Sequence, residues 1–304
     1  MSDIMSLYDK CTLCPRRCKV NRNSGAKGYC GMTSELVLAR AALHQWEEPC
    51  ISGTNGSGTV FFSGCSLKCV YCQNYSIAHS QSGKAVSVGR LAEIFLEIQD
   101  KKAHNINLVT ATHYVPHVID ALTLARKNGL HIPIVYNTSG YETIENIKRL
   151  DGFVDIFLPD LKYCNSSAAQ KYSNAPDYFT YARDAIAQML RQTGRPEFDS
   201  DGIMLKGVIV RHLVLPGNIK NSKATIKFLH EKFADDIYIS IMKQYTPMKQ
   251  INKEKFSELT RSLTNGEYDC VVNYAAKIGV KNGFIQESGA ALESFIPEFD
   301  NEGV

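Results

Sequence analysis

The chain of 304 residues contains no long apolar run, whereas a helix that crosses a bilayer needs about 18 or more such residues. Residues 1–5 contain no apolar core of the kind that secretory signal peptides have. The net charge of +3 is too small to indicate a membrane or a nucleic acid as partner. Low-complexity segments and short-period repeats are also missing. We therefore expect a cytoplasmic protein without a membrane partner or a nucleic-acid partner.

Cysteine, by contrast, is plentiful. The chain has 10 cysteines, and in an intracellular protein such a number indicates metal ligation before disulfide bonds. An apolar content of 44% with 10% aromatic residues is typical of a packed globular core. The length suffices for one α/β barrel or for two ordinary domains.

A loop directly after the apolar run 59–62 contains three cysteines at C-x3-C-x2-C spacing, Cys65, Cys69 and Cys72. The apolar run predicts a buried strand. A cubane [4Fe-4S] cluster takes four protein thiolates, so three leave one iron open, as a catalytic metal site does. A zinc knuckle or three reduced thiols are the alternatives. No further cysteine lies nearby in the sequence, which favours the open cluster.

A second group of cysteines lies in a short N-terminal stretch rich in glycine and asparagine, Cys11, Cys14, Cys18 and Cys30. Such a stretch cannot bury a core of its own, so metal binding could supply its folding energy. Four thiolates suit a closed zinc site or a second [4Fe-4S] cluster, and four unmetallated thiols are the third alternative. The same stretch is basic, and we interpret its cations as a solvated face, Arg16, Arg17, Lys19 and Arg22.

Six strand–helix repeats follow from residue 59 onward, the pattern of a parallel sheet. Helices are predicted at 87–102 with Ser87 as N-cap, over a long region at 166–193, and near 253–264 and 266–278. Six units are fewer than the eight that close a full barrel. We therefore predict an α/β fold, a partial (β/α)6 TIM-like barrel with an N-terminal cysteine-rich extension. The expected division is 1–50 for the cysteine module and bridge and 51–304 for the barrel.

Polar residues follow the predicted strands, beginning at Thr110, Asn137, Asp160, Arg211 and Lys243. Ligand sites of parallel α/β barrels lie at the carboxyl ends of the strands. The cysteine loop follows the first strand and so belongs to the same face. The sequence therefore predicts one site that combines a metal cluster with hydrogen-bonding side chains.

The cysteine loop, with Tyr71 just before its last cysteine, resembles the signature of radical S-adenosylmethionine (SAM) enzymes. Along its whole length the chain is similar to the pyruvate formate-lyase activating enzyme-like branch of that family, through the cysteine module and the segments 47–53, 160–163 and 211–217. The resemblance implies a partial barrel and a [4Fe-4S] cluster whose open iron binds SAM. It further implies reductive cleavage of SAM to a 5′-deoxyadenosyl radical that abstracts a hydrogen atom from a substrate.

The resemblance also implies which residues contact SAM. Asn137 and Ser139 would contact the ribose or the carboxylate, and Asp160 and Lys162 would lie beside the methionyl part. Arg211 and His212 would face SAM or the substrate. The other candidates for cofactor binding are Tyr71, Asn74, Thr110, Thr112 and His113. A structural ion pair with Asp160 is the alternative for Lys162 and Arg211, and a buried, hydrogen-bonded histidine is the alternative for His113.

The chain departs from the activating enzymes at one motif. Those enzymes usually carry Gly-Gly-Glu after the second strand, where it binds the SAM amino group, whereas this chain has Thr110-Ala111-Thr112-His113. The hydroxyls of Thr110 and Thr112, or a backbone carbonyl, would have to take that role.

The implied partners are SAM, an electron donor such as flavodoxin or ferredoxin, and a glycyl-radical protein or peptide as substrate. Radical modification of a small molecule or a peptide, with an auxiliary N-terminal cluster, is the alternative within the family. A metal-binding regulator or nucleic-acid adaptor without turnover is the alternative from another class. We expect Cys164 and Cys270 to be small buried hydrophobic residues, and Cys50 is a further candidate for a redox or ligand role.

Overall fold

A computed structural model of the chain describes residues 3–80, 82–286 and 297–304. In this part of the chain the strands are β1 (Val37–His44), β2 (Ser57–Phe62), β3 (Lys84–Ala85), β4 (Ile106–Val109), β5 (Ile134–Thr138), β6 (Ile156–Pro159), β7 (Glu197–Phe198), β8 (Met204–Leu213), β9 (Tyr238–Met242) and β10 (Gly283–Ile285). The helices are α1 (Pro49–Ser52), α2 (Tyr75–Ser80), α3 (Val88–Asp100), α4 (Val115–Lys127), α5 (Ile144–Arg149), α6 (Ser166–Ser173), α7 (Tyr178–Thr193), α8 (Ile219–Phe233) and α9 (Asn265–Ile278).

The strands form one curved sheet in the order β10-β9-β8-β6-β5-β4-β2-β1-β3, with β7 beside β8. Along the path from β2 to β10 every neighbouring pair is parallel, whereas β7 pairs antiparallel with β8, and β1 and β3 are antiparallel additions at the other edge. Within the described residues the two edge strands do not pair with each other, so the barrel is open. The predicted α/β fold with a partial barrel is confirmed, and β10 extends the six predicted strands by a short seventh.

Local sequence signals explain most of the element boundaries. The Ser87 side chain accepts a hydrogen bond from the backbone of Arg90 and caps α3, as predicted. The helical region predicted at 166–193 is two helices, because Asn174 ends α6 in the left-handed region at φ 47°. The helix predicted near 253–264 was wrong, since only a 3-10 turn at Ser257–Thr260 forms there.

The chain before β2 closes the lower end of the barrel, where the amino ends of the parallel strands lie. Helix α1 places Cys50 and Ile51 among apolar side chains of the parallel strands, including Val135, Ile156 and Ile209. These side chains lie toward the amino ends of the strands, so α1 fills the barrel interior from below. The segment just before α1 is thereby held inside the barrel.

The C-terminal segment 297–304 runs along β1. The backbone N–H of Asn301 donates to the Ala39 carbonyl at 3.1 Å, and that of Ala41 donates to the Glu302 carbonyl at 2.8 Å. The ring of Phe299 packs edge-on against Phe61, with 5.3 Å between centroids. The segment thus covers the outer edge of β1. None of the described helices is long and apolar enough to cross a membrane.

Candidate active site

The three cysteines of the loop lie between β2 and α2 at the carboxyl end of the first parallel strand. The loop turns sharply at Gly64 and Lys68, which have φ values of 85° and 52°. Cys65 and Cys69 are buried and Cys72 is partly buried. Burial raises the pKa of all three thiols, and the Lys162 ammonium opposes that rise in each case.

Hydrogen-bond donors surround these sulfurs. The backbone N–H groups of Leu67 and Lys68 donate to Cys65 Sγ at 3.4 and 3.5 Å. Ser173 Oγ, at the end of α6, donates to Cys69 Sγ at 3.1 Å. Donors of this kind stabilise anionic sulfur. Cys65 and Cys69 with their donors and the partly buried Cys72 line one cavity, and three such thiols fit a [4Fe-4S] cluster with one open iron.

A polar network lies next to the thiols inside the barrel, and Arg211 of β8 is at its centre. Its Nη1 lies 3.1 Å from Glu47 Oε2, and its Nε lies 3.2 Å from Asp160 Oδ1. Its Nη2 donates to Asn137 Oδ1 at 2.5 Å. Lys162 Nζ completes the network by donating to Asp160 Oδ2 at 2.6 Å. The ion pair predicted as the alternative for Lys162 and Arg211 is thus present, and it faces the cavity.

Charge and burial act in opposite directions on the two carboxylates. Burial raises the pKa of Asp160, but the charges of Lys162 and Arg211 outweigh it and hold that pKa below its usual value. Burial raises the pKa of Glu47 above its usual value, although Arg211 opposes the shift. The two cations therefore keep the Asp160 side chain in its anionic form.

The cavity brings together most of the predicted residues. In the described part of the chain its lining includes the three cysteines and eight of the predicted cofactor contacts, Tyr71, Asn74, Thr110, Asn137, Ser139, Asp160, Lys162 and Arg211. Sequence reasoning missed Glu47, which was only part of a resembling segment. It also missed Pro297 of the C-terminal segment.

Three predicted residues lie outside the lining. His212 follows Arg211 on β8, and neighbouring strand residues point to opposite faces, so His212 donates from Nδ1 to the Leu161 carbonyl at 2.7 Å instead. Thr112 Oγ1 donates to the buried carboxylate of Glu142 at 2.5 Å. His113 Nε2 donates to the Ser63 carbonyl at 2.8 Å, which matches the buried, hydrogen-bonded alternative.

Thr110 occupies the position where activating enzymes usually have glycine. Its φ is 64°, a value that β-branched residues rarely adopt. Its backbone N–H donates to the Asn137 carbonyl at 2.9 Å, and the residue lines the cavity. Strained backbone of this kind concentrates at functional sites.

Tyr71, within the three-cysteine loop, is linked to the Cys69 sulfur through two other hydroxyl groups. Its Oη lies 2.6 Å from Tyr163 Oη, which lies 2.8 Å from Ser173 Oγ, the group that donates to Cys69. Burial raises the pKa of Tyr71 and Tyr163 well above the usual value, so both stay neutral donors. This chain of hydroxyls connects α6 to the loop and orients the Cys69 sulfur.

The cysteines outside the two groups lie apart from the cavity. Cys50 is buried in α1 at the lower end of the barrel, and Cys164 is partly buried. Cys270 is exposed on α9, so the expectation that it is a buried hydrophobic residue was wrong.

The N-terminal cysteines form a separate group, Cys11, Cys14, Cys18 and Cys30. Burial raises the pKa of Cys14, and the other three thiols raise it further, which places the four near one another. Among the described residues, no three Cys, His, Asp or Glu side chains surround one point as ligands of a single metal ion do. The expected solvated face was wrong for two cations: Arg22 is buried, and Arg16 is partly buried.

Comparisons with known proteins bear on both the fold and the site. Residues 59–229 match the family described as the Radical SAM superfamily. The chain is 27% identical over 281 residues to an uncharacterized protein of Methanocaldococcus jannaschii, covering 90% of this chain and 76% of that protein. It is 26% identical over 118 residues to the pyruvate formate-lyase-activating enzyme of Clostridium pasteurianum, covering 37% of this chain and 48% of that enzyme.

Among solved structures, the fold is similar to that of HydG, a maturase of the [FeFe]-hydrogenase, with a TM-score of 0.51 and 16% identity over 76% of this chain. The chain spans about half the length of that maturase, 52%. The matched segment of the family begins at β2, contains the three-cysteine loop and ends within α8. The cofactors of this family are a [4Fe-4S] cluster and SAM. By its fold, its three-cysteine loop and the matched segment, the chain belongs to the radical SAM superfamily.

Proposed function

We propose that this protein is an enzyme that binds a [4Fe-4S] cluster through Cys65, Cys69 and Cys72 and uses it to abstract a hydrogen atom from a substrate in the barrel. One observation carries the proposal: the three thiols and the network around Arg211 line the same cavity. The cluster and SAM, when bound, supply a low-potential electron and a 5′-deoxyadenosyl radical. The barrel binds and orients SAM and limits the access of water.

The charges of the network suit the groups of SAM. Arg211 and Lys162 are cations that can pair with the SAM carboxylate. Asp160 and Glu47 are acceptors for its ammonium and ribose hydroxyls. Asn137 and Ser139, at the end of β5, would hold the ribose or the carboxylate. These assignments are supported by the common cavity and by the resemblance to the family.

Residues of the loops would complete the SAM site. Asn74 and Thr110 line the cavity and would bind SAM directly, with the Thr110 hydroxyl in place of the missing Gly-Gly-Glu motif. Thr112, His113 and His212 would act through neighbouring groups, because each one already bonds elsewhere. Tyr71 would act on the Cys69 ligand through Tyr163 and Ser173.

For the substrate we propose a polypeptide whose glycine Cα–H is abstracted, as in a glycyl-radical enzyme activase. The similarity to the Clostridium pasteurianum activating enzyme supports this choice. Hydrogen abstraction from a small molecule or a peptide side chain is the second candidate. The Thr110–His113 stretch in place of Gly-Gly-Glu, together with the N-terminal cysteine module, favours that candidate.

We further propose a cytoplasmic protein that receives its electron from flavodoxin or ferredoxin. A reducing compartment suits a chain with ten cysteines. The described cysteines are all free of disulfide bonds, which supports that proposal.

Anaerobic reconstitution with iron and sulfide tests the reaction. After addition of dithionite and SAM, we expect 5′-deoxyadenosine from the wild type and from Cys270→Ala, whose cysteine is exposed on α9. We expect none from Cys69→Ala. A wild type with an intact cluster and no 5′-deoxyadenosine would instead favour a metal-binding regulator.

A deuterium experiment tests the substrate class. A candidate glycyl-radical polypeptide with deuterated glycine Cα positions should transfer deuterium into 5′-deoxyadenosine. Absence of transfer, together with continued SAM cleavage, would reject the activase and leave the second candidate.

A further inference from the structure

Gly28 lies beside two of the four N-terminal thiols. A Cβ on Gly28 would lie 3.5 Å from Cys18 Sγ and 3.6 Å from Cys30 Sγ, so the two sulfurs flank this glycine. Cys11 and Cys18 add to the rise that burial causes in the pKa of Cys30. The stretch therefore brings four potential metal ligands near one another.

Every one of these thiols has its own N–H donor. The Tyr29 backbone donates to Cys18 Sγ at 3.2 Å, and Arg22 Nη1 lies 3.9 Å from Cys11 Sγ. Backbone groups of Arg16 and Met32 bond Cys14 and Cys30. Thiolates that bind a metal carry negative charge, and such donors stabilise it. Four thiols with such donors are suited to bind a metal cluster as thiolates.

This module lies directly against the loop that holds the three other cysteines. A Cβ on Gly64, the residue before Cys65, would lie 2.9 Å from the Cys30 carbonyl oxygen and would collide with the Met32 side chain. Arg16 Nε donates to the Ser66 carbonyl at 2.9 Å. Backbone of one cysteine group therefore touches backbone of the other.

The buried Arg22 fixes this arrangement. Its guanidinium is 1% exposed and donates to the His113 carbonyl at 2.7 Å and to the Thr33 carbonyl at 2.5 Å. It also stacks over the Tyr8 ring at 4.5 Å from the centroid. This cation bonds both the module and the barrel and so connects the two.

The exposed charged side chains of this stretch of sequence are mainly basic. Cys18 is partly exposed, and the side chains around it in the sequence include three exposed cations, Lys10, Arg17 and Lys19. Asp9 is the exposed acidic residue beside them. Such a surface attracts an acidic protein and speeds its association at low ionic strength.

We propose that Cys11, Cys14, Cys18 and Cys30 hold a second iron–sulfur cluster, which accepts one electron from an acidic carrier protein and passes it to the cluster on Cys65, Cys69 and Cys72. The inference rests on the proposed function, because the electron is the one that cleaves SAM. The reduced carrier loses one electron, and the second cluster takes it up and passes it to the cluster on Cys65, Cys69 and Cys72. No bond forms or breaks and no proton moves in the transfer. Zinc at the four thiols has no redox chemistry and could not take this role.

The metal is tested in a variant that keeps only the N-terminal ligands, Cys65→Ser/Cys69→Ser/Cys72→Ser. After anaerobic reconstitution we expect about four irons and four sulfides per chain and an electron paramagnetic resonance signal on reduction that SAM does not alter. One zinc per chain, or no bound metal, overturns the proposal.

The transfer is tested with Cys11→Ser/Cys14→Ser/Cys18→Ser/Cys30→Ser and a reduced flavodoxin. We expect the SAM-responsive cluster to be reduced at least tenfold more slowly by flavodoxin than in the wild type, and at an unchanged rate by dithionite. Equal rates with flavodoxin overturn the relay. If dithionite and SAM give no 5′-deoxyadenosine in the wild type, the proposed function fails instead, whatever the iron count.

A charge-reversal pair keeps the relay testable if the quadruple variant does not fold. Arg17→Glu/Lys19→Glu retains all four ligands, and we expect it to slow reduction by flavodoxin severalfold at low salt, with the difference vanishing at high salt. Lys232→Glu/Lys277→Glu, on exposed positions of α8 and α9, is the matched control and should keep the wild-type rate. An equal loss in both pairs overturns the docking of the carrier at the module.

Discussion

Arg211 and Glu47 form an ion pair inside the barrel although 164 residues separate them in the sequence. The two side chains are 13% and 10% exposed, so the pair is largely shielded from water. Glu47 reaches this position because α1 is inserted below it, and Arg211 because β8 points it inward. The pair thus connects the segment before α1 with β8, which lines the cavity that we propose to bind SAM.

Replacing Arg211 by alanine should therefore destabilise the protein and abolish tight SAM binding. The variant leaves Glu47 and Asp160 buried without their shared cation, and loss of one partner of a buried pair costs about 3–5 kcal/mol. Urea unfolding and SAM titration measure the two effects. Asp184→Ala breaks the exposed pair with Arg183, 46% exposed on each side, and should change stability by less than about 1 kcal/mol. Similar losses in both variants would contradict the role of the network.

Substitutions of Thr110 should separate backbone strain from hydroxyl chemistry. A left-handed backbone costs a residue other than glycine about 1–2 kcal/mol, and glycine itself adds an entropy cost of about 0.5–1 kcal/mol. We expect the unfolding free energy of Thr110→Gly to equal the wild-type value or to exceed it by up to about 1.5 kcal/mol. SAM affinity should fall in Thr110→Gly and Thr110→Val and persist in Thr110→Ser. Wild-type affinity in Thr110→Val would exclude the hydroxyl as a SAM ligand.

Removal of the Ser173 hydroxyl should lower the reduction potential of the cluster on the three-cysteine loop. Hydrogen bonds to the sulfurs tune the potentials of iron–sulfur clusters, and Ser173 Oγ lies 3.1 Å from Cys69 Sγ. Redox titration of Ser173→Ala followed by electron paramagnetic resonance measures the shift. Ser222→Ala is the matched control, since that buried hydroxyl bonds only a helix carbonyl, that of Asn218. A shift of equal size in both variants would argue against the sulfur bond.

The barrel could be predicted from the sequence because its signals are local. Strand and helix periods, together with caps such as Ser87, fix the repeats and their order. The position of the site then follows, because the carboxyl ends of parallel strands lie at the same end of the barrel. Strand alternation would also have excluded His212 from the cavity, since Arg211 is its neighbour on β8. This alternation is visible in the sequence alone.

The misjudged residues depend on contacts between distant segments. Glu47 enters the barrel only because α1 packs among β5, β6 and β8, and no short-range pattern indicates that insertion. Arg22 is surrounded by polar residues in the sequence, yet it is buried because the carbonyls of Thr33 and His113 and the Tyr8 ring receive it. Basic composition alone could not distinguish such an anchor from a solvated cation.

Low pH should weaken the contact between the N-terminal module and the barrel, because it protonates His117. Nδ1 of this buried histidine lies 2.7 Å from Tyr8 Oη, and Arg22 and the Tyr114 ring also face it. Burial first, and then the Arg22 charge, lower its pKa to about 4. Because the unfolded histidine takes up a proton near pH 6.5, the stabilising contribution is complete above that pH and is lost as the pH falls toward 4.

We therefore expect His117 to contribute a loss on the order of 2 kcal/mol between pH 7 and pH 5, measured by urea unfolding at each pH as the difference between the wild type and His117→Asn. The buried His113 and His212, whose pKa values are also lowered, add the same loss to both proteins. His117→Asn keeps a hydrogen-bonding group beside Tyr8 but does not titrate, so its unfolding free energy should fall less over the same range. Parallel curves for the two proteins would show that another group causes the acid sensitivity.

Phe299 should protect the cluster from oxygen by holding the C-terminal segment over the cavity. Its ring packs on Phe61, and both Phe61 and Pro297 line the cavity next to the three cysteines. Phe299→Ala removes that contact from a partly buried site, so we expect a loss of about 1–3 kcal/mol, below the range for a fully buried phenylalanine. In air the reconstituted cluster should bleach several times faster than in the wild type, followed by its visible absorbance. Glu298→Ala changes the adjacent exposed side chain and should bleach at the wild-type rate. Equal bleaching in all three proteins would mean that oxygen reaches the cluster by another route.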